Sequence, residues 1–171
     1  MNQENNSFFA DLTKFTNQLI GELRHEILPT EFRMIDHVCY RVSTLERYHQ
    51  MCEFLANYGP RISDAIINGR PISVYKLTNT IPLQSGFAIN LIELPSPKPG
   101  RHYDEGFEHI EVVIDSNLET FMQKHSHLTF DTANQFAKIN RDISSTFKTG
   151  LVKFHEQSLE DIIAAENQST N

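Results

Sequence analysis

Two polar side chains interrupt apolar, strand-like segments near the middle of the chain. Glu93 stands in a run of isoleucine and leucine residues, and His109 stands in a run of isoleucine and valine residues. A carboxylate or an imidazole in a protein interior costs free energy unless a partner satisfies it. A metal ion shared by the two side chains would be such a partner. His37, upstream, and His155, downstream, are the candidate ligands that would complete the site.

The donor types indicate a class of metal. His37, His109 and Glu93 together would suit Fe(II), Mn(II), Ni(II) or Zn(II), and would leave coordination positions open for water or a bidentate substrate. The donor types do not distinguish these divalent ions from one another. For the fourth ligand His155 is favoured, because strand alternation turns Glu156 toward the apolar face; Glu156 remains the alternative if a bulge or the strand end turns it around.

Two segments carry the histidines on one face and apolar side chains on the other. Residues 35–42 and 109–114 both alternate in this way. Because residues of equal parity share a face of a strand, the histidine faces should lie away from the helices and curve around one cavity. Cys39 on this face is interpreted as a small packing residue rather than a nucleophile. The residues expected to line the cavity are His37, Cys39, Arg41, His109 and Glu111, joined from the last strand by Lys153 and His155.

Each histidine strand is followed by the spacing of a helix capping box. Ser43 and Glu46 frame the first box, and Ser116 and Glu119 frame the second. A histidine strand followed by a capped helix therefore occurs twice, which indicates an internal repeat. The first half is predicted as β-α-β-β-β with a hairpin turn at Asn68-Gly69. In the second half, the strand expected between the helix and the closing hairpin can be placed only loosely.

The predicted organisation is a single α+β domain preceded by a helical extension. Two β-α-β-β-β modules, residues 31–95 and 106–157, are expected to form one mixed β-sheet with helices on its outer face. An amphipathic extension of residues 1–30 precedes them, and a C-terminal helix of residues 158–166 follows them. Residues 167–171 are predicted to be a flexible tail.

Composition narrows the classes of partner and compartment. The chain has 171 residues, of which 39% are hydrophobic and 22% are charged, as expected for a globular domain. A net charge of -7 argues against a nucleic-acid backbone or an anionic membrane as the main partner. No signal peptide or membrane span is indicated, so the protein is expected to be cytoplasmic. A small molecule is the expected partner, and the protein is expected to be a monomer or a homodimer.

Other ionisable side chains are assigned to substrate handling or to the surface. Glu93 and Glu111 are candidate proton shuttles, because a partly desolvated carboxylate can have its pKa raised toward neutrality. Arg41, Arg70 and Lys153 are candidates for binding an anionic substrate group. The remaining histidines are predicted to be ordinary surface residues, namely His25, His49, His102, His125 and His127.

Several short motifs make the chain resemble a known family. They are Asp36-His37, residues 67–72, Glu93-Leu94-Pro95, residues 105–111 and Lys153-Phe154-His155. Jointly they resemble the YecM family, within the vicinal oxygen chelate superfamily of glyoxalase I, bleomycin-resistance proteins and extradiol dioxygenases. The resemblance spans residues 35–166 and implies a cupped mixed sheet around a divalent metal, with ligands on the strands of His37, Glu93 and His109. The superfamily often uses a carboxylate on its last strand, where this chain offers His155 or Glu156.

Two functions from different classes follow from this pattern. The first is a metal-dependent isomerase, lyase or dioxygenase that chelates a small oxygen-bearing substrate and acts by Lewis-acid catalysis. The alternative is a non-catalytic small-ligand-binding module of the bleomycin-resistance type. A protein-interaction role for the acidic surface and the N-terminal helix has the least support.

Overall fold

The computed structural model of the chain describes residues 3–169. Four helices and seven strands are present in this range, together with a short 3₁₀ turn at Pro29–Glu31. In chain order they are α1 Gln3–Glu26, β1 Phe32–Arg41, α2 Leu45–Ala56, β2 Arg61–Ile67, β3 Arg70–Pro82, β4 Ala88–Pro95, β5 Gly106–Ile114, α3 Leu118–Lys124, β6 Asp142–Thr146, β7 Leu151–His155 and α4 Leu159–Ser169. None of the helices in this range is long and apolar enough to cross a membrane.

The seven strands form one mixed sheet in the order β2-β3-β4-β1-β5-β7-β6. The two histidine strands, β1 and β5, lie antiparallel at its centre. Each has a parallel neighbour from its own half of the chain, β4 beside β1 and β7 beside β5. The α+β architecture predicted from the sequence is therefore confirmed.

The strand register reproduces the internal repeat residue by residue. His37 lies opposite Glu111, and Cys39 lies opposite His109. Position 109 follows 37 by the same interval as 111 follows 39, so an approximate twofold axis between β1 and β5 exchanges the two pairs. His37 and His109 are thus equivalent in the repeat, and Cys39 is the counterpart of Glu111.

The helices cover the two faces of the sheet unequally. The main core lies on the face of Val38 and Val112, where α1, α2 and α3 pack against the sheet. Alternation along the strands puts the histidines on the other face. There α4 packs Ile163, with Leu159, against Val74 and Leu91. The C-terminal helix therefore shields the histidine side of the first module.

The helix starts differ from the predicted capping boxes by one residue. Thr44 caps α2, because its hydroxyl accepts a hydrogen bond from the Arg47 amide at 3.0 Å. Asn117 caps α3 in the same way through the Thr120 amide, at 2.8 Å. The predicted caps at Ser43 and Ser116 were wrong, because the following residue also has a capping oxygen and lies one position nearer the helix.

The second module is less regular than the first. Between α3 and β6 the described chain pairs with the sheet through one isolated bridge, from Asp131 to Ser144. The loosely predicted strand is reduced to this bridge, in keeping with the weak apolar pattern there. At the C-terminus, α4 continues past residue 166 to Ser169, so the backbone of 167–169 is helical where a flexible tail was predicted. Residues 170 and 171 lie outside the described residues.

Candidate metal centre

The carboxylate of Glu111 is the point on which the two repeated histidines converge. Its Oε1 atom lies 3.3 Å from the Nε2 atom of His37 and 3.2 Å from the Nε2 atom of His109. One ligand atom from each of these three side chains falls within 4.8 Å of the others. All three residues are at most 2% exposed. Two imidazoles and a carboxylate in this arrangement can hold a divalent metal ion.

A β-bulge beside each histidine supplies a carboxylate that orients its ring. Asp36 and Glu108, like Arg33 at the start of β1, are skipped by the β1–β5 register, and each lies directly before one of the two histidines. A bulge turns a side chain away from strict alternation. The Nδ1 atom of His37 therefore lies 3.0 Å from Asp36, and the Nδ1 atom of His109 lies 3.0 Å from Glu108. Each ring presents its Nε2 atom to the centre, as in carboxylate–histidine–metal arrangements.

Asp36 also ties the first histidine to the C-terminal helix. Its two carboxylate oxygens accept hydrogen bonds from the amide of Leu159, at 3.1 and 3.0 Å. The amides at a helix N-terminus are unsatisfied within the helix and favour a negative partner. The position of His37 is thus coupled to the docking of α4.

The other predicted ligands lie around this trio at different distances. The Nε2 atom of His155 contacts the Oε2 atom of Glu111 directly. Glu93 is more distant, with its Oε2 atom 3.9 Å from the Nε2 atom of His37. Glu156, the alternative ligand, faces away and accepts hydrogen bonds from the Leu118 amide and Arg141.

Lys153 occupies the position in the second module that Glu93 occupies in the first. Glu93 pairs with Cys39 across β1 and β4, and Lys153 pairs with Glu111 across β5 and β7. The repeat therefore makes Lys153, rather than His155, the counterpart of Glu93. Its ammonium group lies 2.6 Å from the Oε1 atom of Glu111, the same oxygen that the two histidines approach.

The charges at the centre favour an ionised Glu111. Burial alone would raise the pKa of Glu111, but the charges of His37, His155 and Lys153 outweigh burial and hold it well below its usual range. Burial alone would lower the pKa of His37, but Glu111 and Asp36 outweigh it and raise that pKa well above its usual range. Without a metal, the positive charges of His37 and Lys153 balance the Glu111 carboxylate, and a dication could take their place.

One unpartnered atom supports the fit of a metal to this donor set. The Nε2 atom of His37 is buried and makes no well-formed hydrogen bond, although it lies 3.3 Å from Glu111 and the Nδ1 atom of the same ring is held by Asp36. A buried polar atom left without a partner costs about 1–3 kcal/mol. A metal ion among His37, His109 and Glu111 would satisfy it.

The predicted substrate residues are divided between the centre and one end of the sheet. Arg41 donates from Nε to Glu108 at 2.6 Å and lies over the ring of Tyr103. Arg70 is buried and donates from Nη1 to the carbonyl of Ser96 at 2.7 Å. Lys153, by contrast, is engaged with Glu111.

The surface prediction for His125 was wrong. The residue is 4% exposed, and its Nε2 atom lies 3.0 Å from Glu31 in the turn before β1. The poorly patterned segment after α3 gave no sign of this contact. The two orienting carboxylates were also missed, although an acidic residue directly before each repeated histidine was visible in Asp36-His37 and Glu108-His109.

An open mixed sheet built from two repeated modules is the glyoxalase-like α+β fold. The crystal structure of selenomethionyl methylmalonyl-CoA epimerase has this fold, with a TM-score of 0.52, 11% identity, and coverage of 72% of this chain and 94% of that one. Within the fold, the family described as YecM protein matches residues 4–149. The chain belongs to the YecM family.

Two relatives match almost the whole chain. Protein YecM of Escherichia coli (strain K12) is 29% identical over 178 residues, covering 94% of this chain and 93% of that protein. The solved structure of the structural-genomics protein EC4020 has a TM-score of 0.75 and 26% identity, covering 96% of this chain and 93% of that one. The resemblance found in the sequence motifs is thereby confirmed.

Proposed function

We propose that the protein binds one divalent metal ion through His37, His109 and Glu111, with His155 as a fourth ligand. The observation that carries the proposal is the convergence of two Nε2 atoms on one Glu111 oxygen, while a carboxylate holds the Nδ1 atom of each ring. Rings oriented in this way direct their Nε2 atoms at the centre, where a metal ion would take the place of a proton. Two histidines without a shared ligand would not be expected to have both Nδ1 atoms held by carboxylates and both Nε2 atoms directed at one oxygen.

The proposed activity is metal-dependent conversion of a small oxygen-bearing substrate, by an isomerase, lyase or dioxygenase reaction. A bound divalent ion would supply Lewis-acid polarisation of substrate oxygens. The protein's own contribution is to bury the centre, orient the ligands and provide a group that moves a proton. Glu93 and Glu111 are the two carboxylates available for that last task.

The two carboxylates differ in how free they are to accept a proton. Both oxygens of Glu111 are engaged, Oε1 by Lys153 and His109 and Oε2 by His155. No hydrogen bond holds Glu93 in the part of the chain that the structure describes, and its side chain is 18% exposed. We therefore assign Glu111 to holding the metal and Glu93 to general acid–base work beside it.

The test is metal titration of protein stripped with a chelator. Zn²⁺, Mn²⁺, Ni²⁺ and Fe²⁺ are added separately, the last without oxygen, and binding is followed by calorimetry and elemental analysis. One ion per chain is expected for wild type. His37→Ala and His109→Ala should each lose at least a hundredfold in affinity, because each removes a ligand. His102→Ala is the matched control, since its ring is 86% exposed and its ion-pair partner is Asp104 rather than a residue of the centre.

The result that would overturn the proposal is equal metal occupancy in wild type and both ligand variants, with all proteins folded by circular dichroism. If no ion binds wild type but a small organic ligand raises its melting temperature, the non-catalytic binding module would be the better function.

A further inference from the structure

Two arginine side chains outside the metal centre have buried donors without partners. Arg70 is 8% exposed, and its Nε atom is buried with no hydrogen-bond partner although its Nη1 atom is bonded to Ser96. In Arg41 the Nη1 atom is buried and unpartnered, while Nε is bonded to Glu108. Each such donor costs about 1–3 kcal/mol when left unsatisfied. Folding alone would favour solvent exposure for both guanidinium groups.

Both arginines lie on the metal-bearing face and at the same end of the sheet. Arg41 shares its face of β1 with Cys39 and His37, which lie two and four residues before it along the strand. Arg70 shares its face of β3 with Val74, which lies opposite Glu93. Four strand residues separate the Cα atoms of His37 and Arg41 by about 13 Å. A small molecule could therefore meet the metal centre and the arginine end together.

The two positive charges are close enough to affect each other. Burial lowers the pKa of Arg70, and the charge of Arg41 lowers it further. Glu108 balances the charge of Arg41, but two guanidinium groups and one carboxylate together still carry a net positive charge. A protein that keeps two like charges together, with donors unpartnered, has a site that an anion would stabilise.

The surroundings of Arg70 are also basic. Arg70 lines a cleft of about 440 Å³ between the start of α2, the β2–β3 turn and the connection that follows β4. The other ionisable side chains lining this cleft are Lys98 and Arg101. The cleft therefore has three cations and no carboxylate in its lining. It gives an anion from solvent a route to the buried guanidinium of Arg70.

We propose that Arg70, with Arg41 beside it, is an oxyanion subsite that binds the carboxylate or phosphate group of a small acidic ligand. Planar guanidinium groups with free N–H donors match these oxyanions better than an ammonium group does. As a statement about the substrate the proposal rests on the proposed function: the substrate would carry chelating oxygens at one end and an anionic group at the other. Anion binding itself does not require the metal.

The experiment uses two probes, inorganic phosphate and malonate, on metal-free full-length protein. Binding is measured by changes in backbone amide NMR shifts and in melting temperature, against sodium chloride at matched ionic strength. We expect saturable binding of at least one probe, with shifts confined to the arginine end and the 440 Å³ cleft. Phosphate alone would indicate a phosphate-bearing substrate, and malonate alone would indicate a carboxylic acid; either supports the subsite.

Variants separate the subsite from general charge effects. Arg70→Met should weaken binding at least tenfold, and Arg70→Lys should recover only part of it because the forked donor geometry is lost. Arg61→Met is the matched control, since Arg61 is 46% exposed and already paired with Asp64. His37→Ala should keep anion binding while losing metal, so the two proposals can fail separately.

The proposal is overturned if neither probe binds wild type more tightly than chloride, a result that does not depend on how the variants fold. It is also overturned if folded Arg70→Met and wild type bind equally well, which would leave an adventitious ion only.

Discussion

Lys153 should compete with the metal for Glu111, so its removal should strengthen metal binding. Its ammonium group lies 2.6 Å from the Oε1 atom of Glu111, an oxygen that a metal held by His37 and His109 would also use. Burial alone would lower the pKa of Lys153, but Glu111 and Glu93 outweigh it and raise that pKa above its usual range. The side chain is therefore charged at neutral pH, and a dication must displace it.

The magnitude follows from the cost of breaking that contact. A hydrogen bond to a charged group contributes about 1.5–3 kcal/mol. The Lys153 side chain is 27% exposed, so water recovers part of this when the ammonium group moves away. A net cost near 1.4 kcal/mol corresponds to about a tenfold change in affinity. Lys153→Met keeps the apolar stem and should therefore bind metal about ten times more tightly than wild type.

The assay is competition for the ion against a chromophoric chelator at constant pH and salt. Lys153→Arg should not gain affinity, because it keeps a positive charge beside Glu111. Lys76→Met provides a matched control, since Lys76 pairs with Glu160 and not with the centre. Unchanged or weaker metal binding in folded Lys153→Met would refute the competition, and would mean that the ion does not use this Glu111 oxygen.

Three further predictions address the supports of the site and the fold. Asp36→Asn keeps an acceptor for the α4 amide but removes the negative charge beside His37, so metal affinity should fall about 10–100-fold with a small change in melting temperature. Ser158→Ala removes the hydrogen bond that caps the start of α4, so it should lower the melting temperature and leave metal affinity nearly unchanged. Glu31 is held at a lowered pKa, against the effect of burial, by Lys124 and His125. Its stabilisation is present above pH 4.5 and lost below it, so Glu31→Gln should make chemical unfolding less pH-dependent in acid. Gly59→Ala should destabilise by more than 2 kcal/mol, because its Cβ would overlap the Lys76 carbonyl oxygen, whereas Gly21→Ala in the open face of α1 should stabilise by about 0.5–1 kcal/mol; denaturant unfolding of both variants checks the pair.

Alternation along the strands was enough to predict which residues face the centre. Period-two patterning put His37, His109 and Lys153 on one side, and the structure has all three around Glu111. The two positive-φ residues Asn68 and Gly69 likewise form the hairpin turn that their types predict. Such features depend on residues close in sequence, whose geometry the backbone sets directly.

Features that depend on register between strands were not predictable in the same way. The bulges that aim Asp36 and Glu108 at the histidines exist only because β1 and β5 pair with skipped residues. The burial of His125 depends on Glu31, far away in sequence. Sequence parity placed Glu111 on the histidine face but did not identify it as a ligand, because the register that places it between the two histidines involves both modules.

The repeat explains why the centre has one strongly held carboxylate rather than two. Histidines and their orienting acids recur in both modules, but the remaining equivalent positions differ: Cys39 is the counterpart of Glu111, and Lys153 is the counterpart of Glu93. The first module thus contributes a thiol and a partly exposed carboxylate, and the second contributes a buried carboxylate and an ammonium group. If Glu111 is the carboxylate that holds an ion, Glu93 has no ligand to supply and remains beside the centre, 3.9 Å from the Nε2 atom of His37. That asymmetry is what a centre needs if one carboxylate is to hold a metal while the other stays free to move a proton.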